Sequence, residues 1–258
     1  MLAAGGQVAI PPEIQVLPKL PVKFQAYHYL GWDDLCRLIV AEFESSHYFD
    51  VWDIDLNSVY KSLFSLANNE RSLARIINTV MMEYASQKFP DALKWGDQSP
   101  LNTFYLPYIK KIFPHAQYLH LVRDGRDVVS SMVKRHGDAY LEEAVYRWNT
   151  SISRVRSFQK KVGPEILLEI RYEDLVQYPE KTLTRVCHFI HIDYTSAMLN
   201  YWKMPTTIES KVDSFHKNLE KPVFASSIGA WKDRLTTEQQ KYILRKISRC
   251  LQETGYPV

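Results

Sequence analysis

Ala116-Gln-Tyr-Leu-His-Leu-Val122 runs straight into Arg123-Asp-Gly-Arg-Asp127 and on through Val128-Val-Ser-Ser-Met-Val-Lys-Arg135. The short apolar run predicts a buried strand, the Arg-Asp-Gly a tight turn, and the remainder a helix from about Asp127 to Arg135. Downstream, the pattern predicts a long helix from Tyr140 to Lys161. A second apolar strand over Ile166–Arg171 and a helix over Pro179–Ile190 follow. Strands alternating with helices imply an α/β fold: a parallel sheet flanked by helices on both faces.

The same stretch carries chemistry. Arg123 falls at the C-terminal end of a strand, where open α/β sheets bind their ligands. Ser131 and Arg135 are four residues apart and share one helix face. An anion placed there meets a guanidinium from the strand end, a hydroxyl and a second guanidinium. The planar fork of arginine suits phosphate in particular. The residues alone also allow a plainer reading, a surface strand–helix corner with ordinary ion pairs.

Working outward, residues 8–21 read as an extended segment broken by Pro11, Pro12, Pro18 and Pro21. Residues 32–89 are mostly helical in pattern, with Leu35, Leu38, Ile39 and Phe43, then Leu73, Ile76, Ile77, Val80 and Met81, at helical spacing. Ser99-Pro100 reads as N-cap and first residue of a helix ending near Phe113-Pro114. A long polar segment follows at about 205–230, then a helix from Thr236 to Cys250. The aromatics Phe24, Tyr27, Tyr29, Trp32, Tyr48, Phe49, Trp52 and Tyr60 serve equally as a helical core or as the wall of an acceptor pocket.

Bulk properties narrow the classes. A hydrophobic content of 46% over 258 residues suits a sizeable core and excludes general disorder. A net charge of +3 is too small to argue for nucleic acid. Cys36, Cys187 and Cys250 are far apart, which argues against a disulfide framework and for a reducing compartment. No apolar run is long enough for a membrane span. The start carries no basic segment of signal-peptide type, so the expected location is cytoplasmic. The eight histidines are scattered, and no metal-ligand spacing is present.

Four stretches in order carry a resemblance. They are Lys94-Trp-Gly-Asp-Gln-Ser-Pro100, then Phe113-Pro-His through Ser131, then Ile170-Arg-Tyr-Glu-Asp-Leu-Val176, and last Lys221-Pro-Val-Phe-Ala-Ser-Ser-Ile-Gly-Ala-Trp231. Together they resemble sulfotransferases that use 3′-phosphoadenosine 5′-phosphosulfate (PAPS), the bacterial and tyrosylprotein enzymes in particular, over roughly residues 8–245. The resemblance implies a single P-loop-NTPase-like sulfotransferase domain over 1–258, with a helical acceptor-side region over 22–90. It implies that Arg123, Ser131 and Arg135 hold the 3′-phosphate, and that Tyr172, on the second strand, lies against the nucleotide. The segment 221–231 closes over it, and Ser214 falls within one residue of a family serine near the transferred group. Glu13, in Ile10-Pro-Pro-Glu-Ile-Gln15, matches the general base, a carboxylate that accepts the proton of an attacking hydroxyl. The donor would be PAPS, without metal, and the acceptor a small molecule, carbohydrate or peptide.

The chain departs from that pattern in three places. Family members open with a strand and a Pro-Arg-Ser-Gly-Thr-Thr-like phosphate loop, whereas this sequence starts at Met1-Leu-Ala-Ala4, so a truncated or misassigned start, or a natural fragment, is expected. The lysine of Gly-Asp-Lys-Thr-Pro is Gln98, which donates a hydrogen bond but brings no charge to the leaving group. The basic residue before Trp231 is Ala230. A catalytically inactive nucleotide-binding or interaction protein is therefore the alternative, with a nucleotide kinase of related fold a third.

Overall fold

The computed structural model describes residues 1–203 and 221–258. They form two compact units, each built from two separate stretches of chain.

The first unit comprises Met1–Ala116 and Ile192–Pro222. Its strands are two residues each: β1 (Val8–Ala9) pairs in parallel with β2 (Lys94–Trp95). Between them lie α1 (Leu20–Ala26), α2 (Trp32–Glu44), α3 (Asn57–Phe64) and α4 (Leu73–Lys88), with α5 (Asn102–Ile112) after β2. The helical periodicity over 32–89 holds. Ile39, Phe43, Ile76, Ile77 and Val80 are fully buried in one core. Ser72 caps α4 by accepting from the Arg75 N–H. Trp52 fills the centre of this core, and its indole donates to the Pro12 carbonyl at 2.9 Å. Of the aromatics with two readings, Phe24, Trp32, Tyr48, Phe49 and Tyr60 pack against this core. Tyr27 and Tyr29 are exposed.

Two expectations fail here for local reasons. Pro21 does not prolong the extended segment; it sits in the first turn of α1, where its missing N–H costs nothing. Ser99 is not a helix cap. It is buried and donates to Asp97 Oδ1 at 2.7 Å. Asp97 also accepts from Asn102 Nδ2 at 2.7 Å, so the aspartate organises the turn and α5 begins two residues beyond Pro100.

The second unit comprises Gln117–His191 and Val223–Val258. Strand β3 (Tyr118–Val122) pairs in parallel with β4 (Leu167–Arg171). The helices α6 (Gly125–His136) and α7 (Leu141–Val162) connect them. After β4 come α8 (Tyr172–Gln177) and α9 (Pro179–Phe189), then α10 (Trp231–Arg234) and α11 (Thr237–Glu253). On α7, Ala144, Val145, Trp148, Ile152, Val155 and Phe158 form one buried stripe. Val122, Val129, Trp148, Ile243, Ile247 and Leu251 make the core between strand and helices. A capping box of Thr236 and Gln239 starts α11.

β3 is not buried on both faces as expected. Val122 is buried and Tyr118 meets Phe158 edge-on, but Leu119 and Leu121, on the alternate face, are 37% and 51% exposed. With a period of two, a strand covered by helices on one face turns its alternate residues outward. Among the described residues no helix is long and apolar enough to cross a membrane.

Candidate nucleotide site

The site is built where β3 and β4 end together. Their register sets Val122 opposite Arg171, so Arg123 and Tyr172 leave neighbouring strand ends. The Arg123 guanidinium lies over the Tyr172 ring, 4.7 Å from its centroid. Arg123 Nη2 donates to the Ser227 carbonyl at 2.7 Å, and the Tyr172 and Ser227 hydroxyls are 3.2 Å apart. Arg123 Nε is buried and has no partner. The guanidinium thus keeps donors beyond the one given to Ser227, a fit for an anion. Tyr172 was expected on the strand itself; it is the first residue of α8, one step past the strand end.

The turn between β3 and α6 is held from several directions. Asp124 caps α6 by accepting from the Arg126 N–H at 2.9 Å, so the helix opens at Gly125, two residues earlier than its sequence pattern suggested. The same carboxylate takes the Arg126 guanidinium at 2.7 Å. Asp124 N–H donates to Glu173 Oε1 at 3.1 Å, and Tyr256 donates to Glu173 Oε2 at 2.5 Å. Burial, and then that contact with Glu173, raises the Tyr256 phenol above its ordinary value, so it stays a donor. Gly125 is required by space rather than by dihedral angle: a Cβ there would come within 2.7 Å of Ile247 Cδ1 and 2.8 Å of the Trp148 ring.

Ser131 and Arg135 lie one turn apart on the exposed side of α6. Ser131 is exposed, whereas its neighbour Ser130 is buried with an unpartnered hydroxyl. The structure thus brings together Arg123 and Tyr172, with Ser131 and Arg135 on the helix that Arg123 feeds. Ser214 lies outside the described residues. Glu13 belongs to the first unit, half-buried between buried Pro12 and Ile14. Gln15, with a left-handed φ of 34°, donates to Glu13 Oε1 at 2.5 Å.

Sequence reading missed Ser227, Asp127 and Tyr256. Asp127, 2% exposed, accepts from the N–H groups of Gly229 and Trp231, which lie about a hundred residues further along. Only the match of 221–231 to a nucleotide-closing loop hinted at that end of the chain. Among the described residues no group of three or more His, Cys, Asp or Glu side chains could hold a metal ion.

Comparison with known proteins bears on the family and the fold. The Danio rerio protein-tyrosine sulfotransferase 1 is 28% identical over 183 residues, 67% of this chain and 48% of that protein. The chain spans less than half the length of the curated relatives it matches first. In fold, it superposes over its full length on 88% of the sulfotransferase domain of the Synechococcus PCC 7002 olefin synthase, with a TM-score of 0.69 at 20% identity. The sulfotransferase domain of the curacin biosynthetic pathway gives 0.63 at 18% identity, covering all of this chain and 92% of that one. Since the family model described as "Sulfotransferase family" matches residues 1–196, the chain belongs to the sulfotransferase family.

Proposed function

We propose that the protein transfers a sulfonate group from PAPS to a hydroxyl or amine acceptor. The observation that carries this reading is Arg123 at the end of β3, stacked on Tyr172 and with unused donors. In this reading Arg123, Ser131 and Arg135 receive the 3′-phosphate and the Tyr172 ring lies against the nucleotide. In-line transfer breaks the bond from sulfur to the bridging phosphate oxygen and forms one to the acceptor oxygen or nitrogen. A general base takes the acceptor's proton, and the family resemblance gives that role to Glu13, which Gln15 holds by a hydrogen bond. Such a step needs positioning and charge neutralisation more than covalent chemistry. The name of the Danio rerio relative supports a tyrosine hydroxyl in a peptide as the first acceptor to test.

A second reading, nucleotide binding with little turnover, is favoured by Gln98. This residue is exposed and uncharged where the family pattern has lysine. Calorimetry and turnover separate the two. The protein should bind adenosine 3′,5′-bisphosphate more tightly than 5′-AMP, because the Arg123 cluster addresses the 3′-phosphate. Equal binding of both by folded protein rejects the site. Transfer from labelled PAPS to a tyrosine peptide, faster in Gln98→Lys, supports the enzyme. Tight nucleotide binding without transfer to any hydroxyl or amine acceptor supports the second reading.

A further inference from the structure

Asp127 has no part in the phosphate cluster just described, yet it is among the most buried polar side chains of the protein. Both of its oxygens are in use. Oδ2 accepts from the Gly229 N–H at 2.7 Å and Oδ1 from the Trp231 N–H at 3.0 Å. Gly229 has a φ of +73°, a conformation that L residues with side chains rarely adopt. A second hold lies beside the first: the Arg126 guanidinium covers the Trp231 ring at 4.6 Å, itself fixed by Asp124. Two residues before Gly229, the Ser227 carbonyl takes Arg123 and its hydroxyl meets Tyr172. A carboxylate in the first turn of α6 therefore sets where the segment 227–231 lies, and that segment forms one side of the Arg123 site.

We infer that Asp127 is a positioning residue for nucleotide recognition, acting through the segment 227–231. Its two hydrogen bonds hold Ser227 against Arg123 and Tyr172, so 3′-phosphate preference depends on a side chain that does not face the phosphate. An amide in its place keeps one acceptor but points an N–H₂ at the second backbone N–H. The role rests on the nucleotide reading proposed above, and its test has one arm that does not.

That arm is hydrogen exchange on the nucleotide-free protein, comparing the wild type with Asp127→Asn. At least one of the Gly229 and Trp231 amides should exchange about tenfold faster or more in the variant, the size of a lost hydrogen bond to a charged group. The far-UV circular dichroism should be unchanged. The second arm is calorimetry: the preference for adenosine 3′,5′-bisphosphate over 5′-AMP should fall by about the same factor, with 5′-AMP affinity held. Unchanged exchange overturns the contact, and unchanged preference with faster exchange overturns the positioning role. A wild type without any such preference rejects the nucleotide reading and this role with it, whatever the exchange rates. Should Asp127→Asn fail to fold, Gly229→Ala serves, since a Cβ there meets nothing within 4 Å and only the backbone angle is strained. It should loosen the same amides and lower the same preference; if it does neither, the inference is wrong.

Discussion

At the scale of single residues, Arg123 is held by its backbone as much as by its side chain. Trp148 donates to its carbonyl at 3.2 Å, a bond that does not depend on the guanidinium. Arg123→Ala should therefore keep the fold. It should weaken adenosine 3′,5′-bisphosphate by about 1.5–3 kcal/mol, the worth of a charged hydrogen bond. Calorimetry measures the loss and circular dichroism checks the fold; an unfolded variant would make Arg123 structural. Gly125 gives the opposite case. Its hydrogen is all that fits between Ile247 and Trp148, and a Trp ring cannot swing aside cheaply. Gly125→Ala should destabilise by about 1–3 kcal/mol through overpacking, read as a lower denaturation midpoint. Arg123 could be singled out from sequence because a strand-end arginine before Gly is a local pattern. Ser227 could not, since its contacts to Arg123 and Tyr172 join positions 104 and 55 residues apart. No periodicity records such a meeting.

At the scale of elements, α7 and α11 were legible because amphipathic periodicity over several turns is a strong signal, and here their stripes face one core. Boundaries were less so, and Asp124 explains one of them. A side-chain cap two residues upstream moved the start of α6 to Gly125, and the local pattern of apolar residues does not reveal it. The exposed Leu119 and Leu121 are the larger lesson. An apolar run reads as buried on both sides, but burial is set by what packs on each face, which sequence alone does not state. Thr236 makes an element-scale prediction. It accepts from the Gln239 N–H while the Gln239 side chain returns to the Thr236 N–H. Thr236→Ala should cost about 1 kcal/mol, seen as a small drop in thermal midpoint with the fold unchanged.

At the scale of the molecule, pH acts through Glu169. Burial works to raise its carboxyl, but hydrogen bonds from His120 at 3.0 Å and Arg156 at 2.9 Å outweigh that and leave it below its ordinary 4.5. A depressed acid stabilises the fold above its unfolded value and stops doing so as pH falls through the folded one. Denaturation midpoints should therefore decline as pH drops below about 4.5, and Glu169→Gln should flatten that decline. An identical slope in the variant would assign the acid sensitivity elsewhere. The two-stretch make-up of each unit has a different consequence, one of timing. The chain passes from one unit to the other at 116, at 191 and at 222. A ribosome working from the N-terminus therefore finishes neither unit before it starts the next. The core of the first unit, drawn from residues 9–85, is complete in sequence long before the stretch 192–222 is made. The strand pair at 118–122 and 167–171, by contrast, must wait for α11, whose Ile243, Ile247 and Leu251 complete the core around Val122. During synthesis the nascent chain thus carries one core that can close early and one that stays open until the last helix is made. Chaperone supply during synthesis should then weigh on yield through that second, late-closing core.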